Sequence, residues 1–275
     1  MENKSDDLIL PVTSVTSGEG QEVLPDLYCL PVQIVNVCYI GDAERGGVLV
    51  DAAMPRSAET LMRGAEERFG GMKPRAIILT HGHFDHVGAI VDLVKKWGVP
   101  VYAHELELPY LTGKADYPPA DPTVDGGMVT ELSPLFPNEG INLEGHVHAL
   151  PADGTVPELP EWRWIHTPGH TPGHISLFRE RDRALIAGDA FVTVKQESLY
   201  KVITQEQEIS GPPKYFTTDW AAAKASVRAL ADLRPLVAIT GHGIPMTGDE
   251  LLVNLERLAA DFDTIAVPEH GRYVD

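Results

Sequence analysis

The sequence predicts a layered α/β sandwich built from two β-rich halves with helices on the outside, and three observations carry that reading. Short apolar runs separated by turn residues crowd the opening of the chain. A strand, loop, helix and strand follow in that order. The second half then repeats the same rhythm, as expected when helices cover the faces of sheets. At 275 residues with 43% hydrophobic content, the chain can bury a sizeable core. We read one domain over residues 1–275, with halves at about 20–160 and 161–265 and an irregular insertion at about 109–160.

Each element follows from a local signal. Residues 27–50, LYCLPVQIVNVCYIGDAERGGVLV, alternate apolar runs with turns and read as strands. Ser57 before AETLMRGAEERF, with Gly70 and Gly71 behind it, gives an N-cap, an amphipathic helix and a glycine stop. RAIILT reads as a buried strand, Gly88 to Trp97 as a helix and VPVYAH as the next strand. The insertion is rich in Pro, Gly and Asp, and reads either as a cover for a site or as surface decoration. Beyond it, WRWIHT, HISLFRE and RALIAGD read as strands, and DWAAAKASVRALADL as a helix before the strand LVAIT. Thr247 and Glu250 have the spacing of a capping box ahead of LLVNLERLAADF, the last helix.

Composition narrows the function. Lys and Arg total 22 against 40 Asp and Glu, a formal charge of −18, which repels phosphate backbones and anionic membranes. The partner is therefore a small-molecule substrate rather than nucleic acid or a membrane, and a homodimer is compatible with the sequence. Met1 to Asp7 is polar and acidic, without a basic start followed by an apolar stretch, and no later run reaches transmembrane length. That reads as a cytoplasmic protein. Cys29 and Cys38, the only thiols, sit in apolar strand-like sequence and read as inert and buried.

The chemistry concentrates after RAIILT, in Thr80-His81-Gly82-His83-Phe84-Asp85-His86. With 11 His in the chain, three at fixed offsets arise by chance in roughly 2% of such chains, before Asp is required as well. In an extended loop alternate side chains share a side, so His81, His83 and Asp85 would project together while His86 turns the other way. Imidazole and carboxylate donors suit two divalent metal ions, with Zn²⁺ as first choice and Fe or Mn as alternatives. Further donors must come from elsewhere. His170 lies in His166-Thr-Pro-Gly-His-Thr-Pro-Gly-His174, whose Pro-Gly turns fix the backbone; Asp189 ends RALIAGD; and His242 follows LVAIT in a glycine-flanked loop.

THGHFDH, HTPGHTPGH, GDA and the late GHG, in this order, resemble the signature of the metallo-β-lactamase superfamily, over nearly the whole chain. The resemblance implies a four-layer αββα sandwich. It implies that His81, His83 and His170 hold one metal, Asp85, His86 and His242 the other, and that Asp189 bridges them. Asp51 resembles the acidic residue supporting the ligand loop from behind, and His174 a flanking residue that supports the site by hydrogen bonding. A metal-dependent hydrolase follows, in which a metal-bound hydroxide attacks a lactone, ester or thioester, and Asp85 or Asp189 relays the proton to the leaving group. HTPGHTPGHISLF is similar to lactonases in particular, with a glyoxalase II-like thioesterase beside it. The alternatives are a phosphodiesterase and an iron-dependent, persulfide dioxygenase-like oxidoreductase.

His104, His146 and His148 read as exposed or hydrogen-bonded structural residues, His166 as a loop stabiliser and His270 as surface or subunit contact. Tyr200, Tyr215, Phe216 and Trp220 fall where the family builds its pocket, though core packing accounts for each equally well.

Overall fold

The computed structural model describes residues 12–274, so the polar start Met1–Asp7 lies outside the described residues. The chain divides into two compact units. One runs up to Tyr117 and resumes over Pro137–Pro160; the other comprises Pro118–Phe136 and everything from Glu161 onward.

The first unit is organised on a seven-stranded sheet whose spatial order follows the sequence: β1 (Gln21–Leu24), β2 (Leu27–Val32), β3 (Val35–Asp42), β4 (Gly46–Val50), β5 (Ile77–Ile78), β6 (Val101–Ala103) and β7 (Val147–Ala149). Tight turns join β1 to β4 as antiparallel neighbours, whereas β4 to β7 run parallel because helices and loops intervene. The helices are α1 (Ala58–Arg68), α2 (Phe84–Val87), α3 (Ile90–Trp97) and α4 (Leu108–Leu111). Leu61 and Ala65 of α1, with Ile90, Leu93 and Val94 of α3, form a core with Val37, Tyr39, Leu49, Ile77 and Val101 of the sheet. The apolar spacing along α1 and α3 therefore does what amphipathic helices require, presenting one stripe to the sheet.

The second unit carries α5 (Met128–Leu132), then a five-stranded sheet of β8 (Trp162–His166), β9 (Ile175–Arg179), β10 (Ala184–Gly188), β13 (Val237–Thr240) and β14 (Met246–Thr247). Between β10 and β13 lie the hairpin β11 (Val192–Val194) and β12 (Gln207–Ser210), with α6 (Leu199–Thr204) and α7 (Trp220–Asp232). The chain closes with α8 (Gly248–Ala260) and α9 (Phe262–Ile265). Only the β10–β13 pair is parallel. Ala223, Val227 and Leu230 of α7 pack with Leu251, Leu255 and Leu258 of α8 and with Leu185 and Ala238 of the sheet.

Several expectations need correction. The helix expected over Gly88–Trp97 is α3, which starts at Ile90 and ends at Trp97 as read, while the separate turn of helix α2 at Phe84–Val87, just before it, was not anticipated. The insertion at 109–160 is partly regular: it contains α5 and β7, and its Pro118–Phe136 stretch belongs to the second unit. β7 owes its strand conformation to pairing with β6, Val101 opposite Val147, a long-range contact that overrides local composition. At the last helix, Thr247 makes no side-chain cap bond. It is held instead as a strand residue opposite Val237, so the capping box is not formed.

Candidate metal centre

In the first unit Asp51, just past the end of β4, supports the histidine cluster. Its backbone takes a left-handed φ of 64°, a conformation that Asp tolerates better than most residues. From there its carboxylate accepts from the Thr80 amide and the Thr80 hydroxyl, each at 2.8 Å, and pairs with His86 Nδ1 at 2.8 Å. Thr80 Oγ1 in turn lies 3.1 Å from His81 Nδ1. Both contacts engage Nδ1, so Nε2 is the atom through which His81 and His86 could hold a metal.

The local backbone corrects the extended-loop picture. His83 caps α2 from an extended conformation (φ −65°, ψ 151°), its carbonyl accepts from the His86 amide at 2.9 Å, and the His86 carbonyl accepts from Ala52 at 2.7 Å. Asp85 and His86 thus sit on a helical turn. Helical rotation brings His86 back beside His81, with ring centroids 4.2 Å apart, while His81 and His83 are 4.8 Å apart edge to face. His86 does not turn away. Asp85 is half-buried.

In the second unit, His170 lies in the double Pro-Gly turn after β8. Gly169 has φ +133°, and a Cβ there would meet the Ala223 backbone at 2.4 Å, so only glycine lets this turn settle against the start of α7. His170 Nδ1 lies 3.2 Å from Thr217 Oγ1. Asp189 follows β10 and His242 follows the parallel strand β13, with the Gly241 amide bonded to Gly188 O at 2.8 Å. Asp189 Oδ2 is 3.5 Å from His170 Nε2 and 3.3 Å from His242 Nε2. His174 is the support beneath. Its Nε2 accepts from the Asp189 amide at 2.9 Å, so the ring proton sits on Nδ1, 2.9 Å from Thr167 Oγ1. Thr167 continues to Ser176 at 3.0 Å, and Ser176 donates to Ala187 O at 2.9 Å.

The donor set fits divalent cations. His81, His83, His86, His170, Asp189 and His242 are all 3% exposed or less. Neutral imidazole beside carboxylate is the form that binds metal.

The other histidines take the structural places read for them. His104 accepts from the Leu106 amide at 3.2 Å, and His166 contacts Pro172 O at 2.8 Å. His148 and His270 are exposed and His146 is half-buried. Tyr200 is exposed, Trp220 belongs to the α7–α8 core, and Tyr215 and Phe216 contact Phe136. The supporting threonines escaped the sequence reading. Thr80 and Thr167 stand beside the motifs they support, but Thr217 is 47 positions from His170 and left no local signal.

The model of the metallo-β-lactamase superfamily matches residues 30–242, a span that runs from β2 through every residue of both clusters. The chain belongs to the metallo-β-lactamase superfamily. It is therefore a metallo-hydrolase of a superfamily that binds divalent metals, with the fold of that family. It is 52% identical over 262 residues to "Probable metallo-hydrolase YflN" of Bacillus subtilis strain 168, covering 94% of this chain and 99% of that protein. An "N-acyl homoserine lactonase" of a Bacillus species is 25% identical over 235 residues, covering 75% and 80% of the two chains. Among solved structures, a metallo-β-lactamase family protein of Thermus thermophilus, TTHA1429, superposes with a TM-score of 0.61 at 23% identity, over 88% of this chain and 81% of that one. This last likeness concerns the fold alone. Among the described residues, no helix is long and apolar enough to cross a membrane.

Proposed function

We propose that the His/Asp clusters of the two units complete one two-metal centre that hydrolyses a carboxylic ester bond, with a lactone as first substrate class and esters or thioesters beside it. The observation that carries this reading is the orientation of the donors within each unit. Buried partners engage Nδ1 of His81, His86 and His170, and Asp189 sits against two Nε2 atoms. Such outer partners are what orient metal-bound imidazoles. The resemblance to an N-acyl homoserine lactonase supports the choice of lactones.

His81, His83 and His170 would hold one cation, Asp85, His86 and His242 the other, and Asp189 both. When bound, a pair of such ions, Zn²⁺ in this reading, supplies water with a pKa lowered toward about 7 and an electrophile for the carbonyl. Asp85, half-buried and on the turn with His86, is placed to pass a proton between bulk water and the leaving group. Asp189, whose backbone amide donates to His174 Nε2 at 2.9 Å, is the other carboxylate that would serve as the relay. A small neutral or anionic substrate, a cytoplasmic setting and a chain free of nucleic acid complete the proposal.

A panel of acyl-homoserine lactones, thioesters and a chromogenic phosphodiester, run beside metal quantification of the purified protein, tests it. Lactone or ester turnover with about two metal ions per chain is the expected result, and Asp85→Ala and His86→Ala should each remove most of the turnover while circular dichroism stays unchanged. Phosphodiester cleavage without acyl hydrolysis would overturn the reading. So would a single iron with oxygen uptake on glutathione persulfide, or undiminished turnover in either variant.

A further inference from the structure

Between His81 and His83, the amide of Gly82 is gripped from within the first unit. It donates to Glu107 Oε2 at 3.0 Å and lies 3.0 Å from the Tyr117 hydroxyl. Tyr117 donates a short hydrogen bond to that same Glu107 oxygen. Glu107 is fully buried and Tyr117 is 3% exposed. Glycine permits the approach, because a Cβ at position 82 would come within 2.5 Å of the Tyr117 oxygen. The Tyr117 ring also lies 4.6 Å from the His83 ring and stacks on Tyr110 at 3.9 Å with planes 14° apart. Burial, then the neighbouring Glu107 charge, pushes the Tyr117 phenol above its ordinary range, so it stays a donor.

One backbone amide needs only one neutral acceptor. Here it has two acceptors, Glu107 Oε2 and the Tyr117 hydroxyl, both on buried residues. The residues that would hold a metal are one position away on either side.

We infer that Glu107 and Tyr117 are positioning residues that clamp the Gly82 amide, orienting His81 and His83 for a divalent cation. The inference rests on the two-metal reading above. Glu107 lies in a 3₁₀ turn, Glu105–Glu107, and Tyr117 in the Pro-rich insertion; neither belongs to the histidine motif whose loop they hold.

The test uses Glu107→Gln and Tyr117→Phe, both nearly isosteric, in the full chain. Metal affinity is measured by competition with a chromophoric chelator, ligand geometry by the visible bands of the cobalt-substituted protein, and stability by thermal midpoints of the metal-free and loaded forms. Glu107→Gln keeps an oxygen that can accept from Gly82 and is the conservative control, so its affinity and cobalt bands should stay near those of the wild type. Tyr117→Phe should weaken binding by about tenfold and shift the cobalt bands. Wild-type affinity and bands in both variants would overturn the inference, as would equal midpoint losses in both forms with affinity unchanged, the mark of a purely structural contact. If Glu107→Gln does not fold, Tyr117→Phe decides alone. A wild-type chain that retains no metal defeats the two-metal reading together with the clamp; a metal-retaining wild type with indifferent variants defeats the clamp alone.

Discussion

Glu197 is a single residue whose environment sets a pH dependence of stability. It is 2% exposed, its Oε1 accepts from the Lys214 amide at 3.1 Å, and its Oε2 has no hydrogen-bond partner among the described residues. Desolvation raises its pKa, only partly opposed by the Lys214 amide and by the Lys214 and Lys195 charges. Below the titration of the unfolded chain, about pH 4, both states hold the proton. As pH rises, the unfolded chain releases it first, so stability declines until the folded group ionises as well. Glu197→Gln removes that decline. Its midpoint advantage over the wild type should be larger at about pH 8 than at about pH 4, and an advantage that fails to grow between these conditions would contradict the assignment.

At the scale of elements, the turn 52–55 and the α2–α3 junction depend on each other. Gly88 donates to Ala53 O at 2.7 Å and Ala89 to Ala52 O at 3.0 Å. A Cβ on Gly88 would stand 2.1 Å from Pro55 N and 2.3 Å from the Met54 carbonyl carbon. Those are backbone atoms, which a rotamer change cannot move. Gly88→Ala should therefore cost about 1–3 kcal/mol, as overpacked sites do, and loosen metal binding because Asp51 and His86 sit on the two segments it forces apart. Denaturant midpoints with chelator titrations check both effects; a wild-type midpoint would show that the backbone yields more easily than its spacing suggests.

How far the sequence could be read follows from the reach of each signal. The histidine cluster of THGHFDH, the turn HTPGHTPGH and α7, whose Asp219 cap accepts from the Ala222 amide at 2.8 Å, were all legible, because spacing within a few residues encodes them. The helical turn at Phe84–Val87 was not, since four residues show no helical period and the motif could equally be extended. Strand β7, the Thr217 contact and the Glu107–Tyr117 grip on Gly82 depend on partners tens of positions away, and nothing local announces them.

The whole molecule carries a formal charge of −18, with 40 acidic side chains against 22 basic ones. Surface pairs such as Arg75–Glu158 and Arg234–Glu256 offset part of this, but exposed pairs contribute at most about 1 kcal/mol each. Repulsion among the unmatched carboxylates outweighs them. Salt shortens the reach of charge from about 30 Å at 0.01 M to about 3 Å at 1 M, so the thermal midpoint should climb as sodium chloride is added over that range. A midpoint that falls would mean the ion pairs dominate.

The assignment of Pro118–Phe136 to the second unit has a consequence for the gene as well as for the protein. The chain passes between units three times, so a single cut at Pro160 does not yield two self-sufficient pieces. The N-terminal fragment would carry off Asp125, which pairs with Lys214 at 2.7 Å, Asp121, which accepts from the Arg272 amide, and Phe136, whose ring meets Tyr215. A fragment that begins at Glu161 therefore lacks a stretch of its own unit, and a version of the second unit meant to fold by itself has to include Pro118–Phe136 as well.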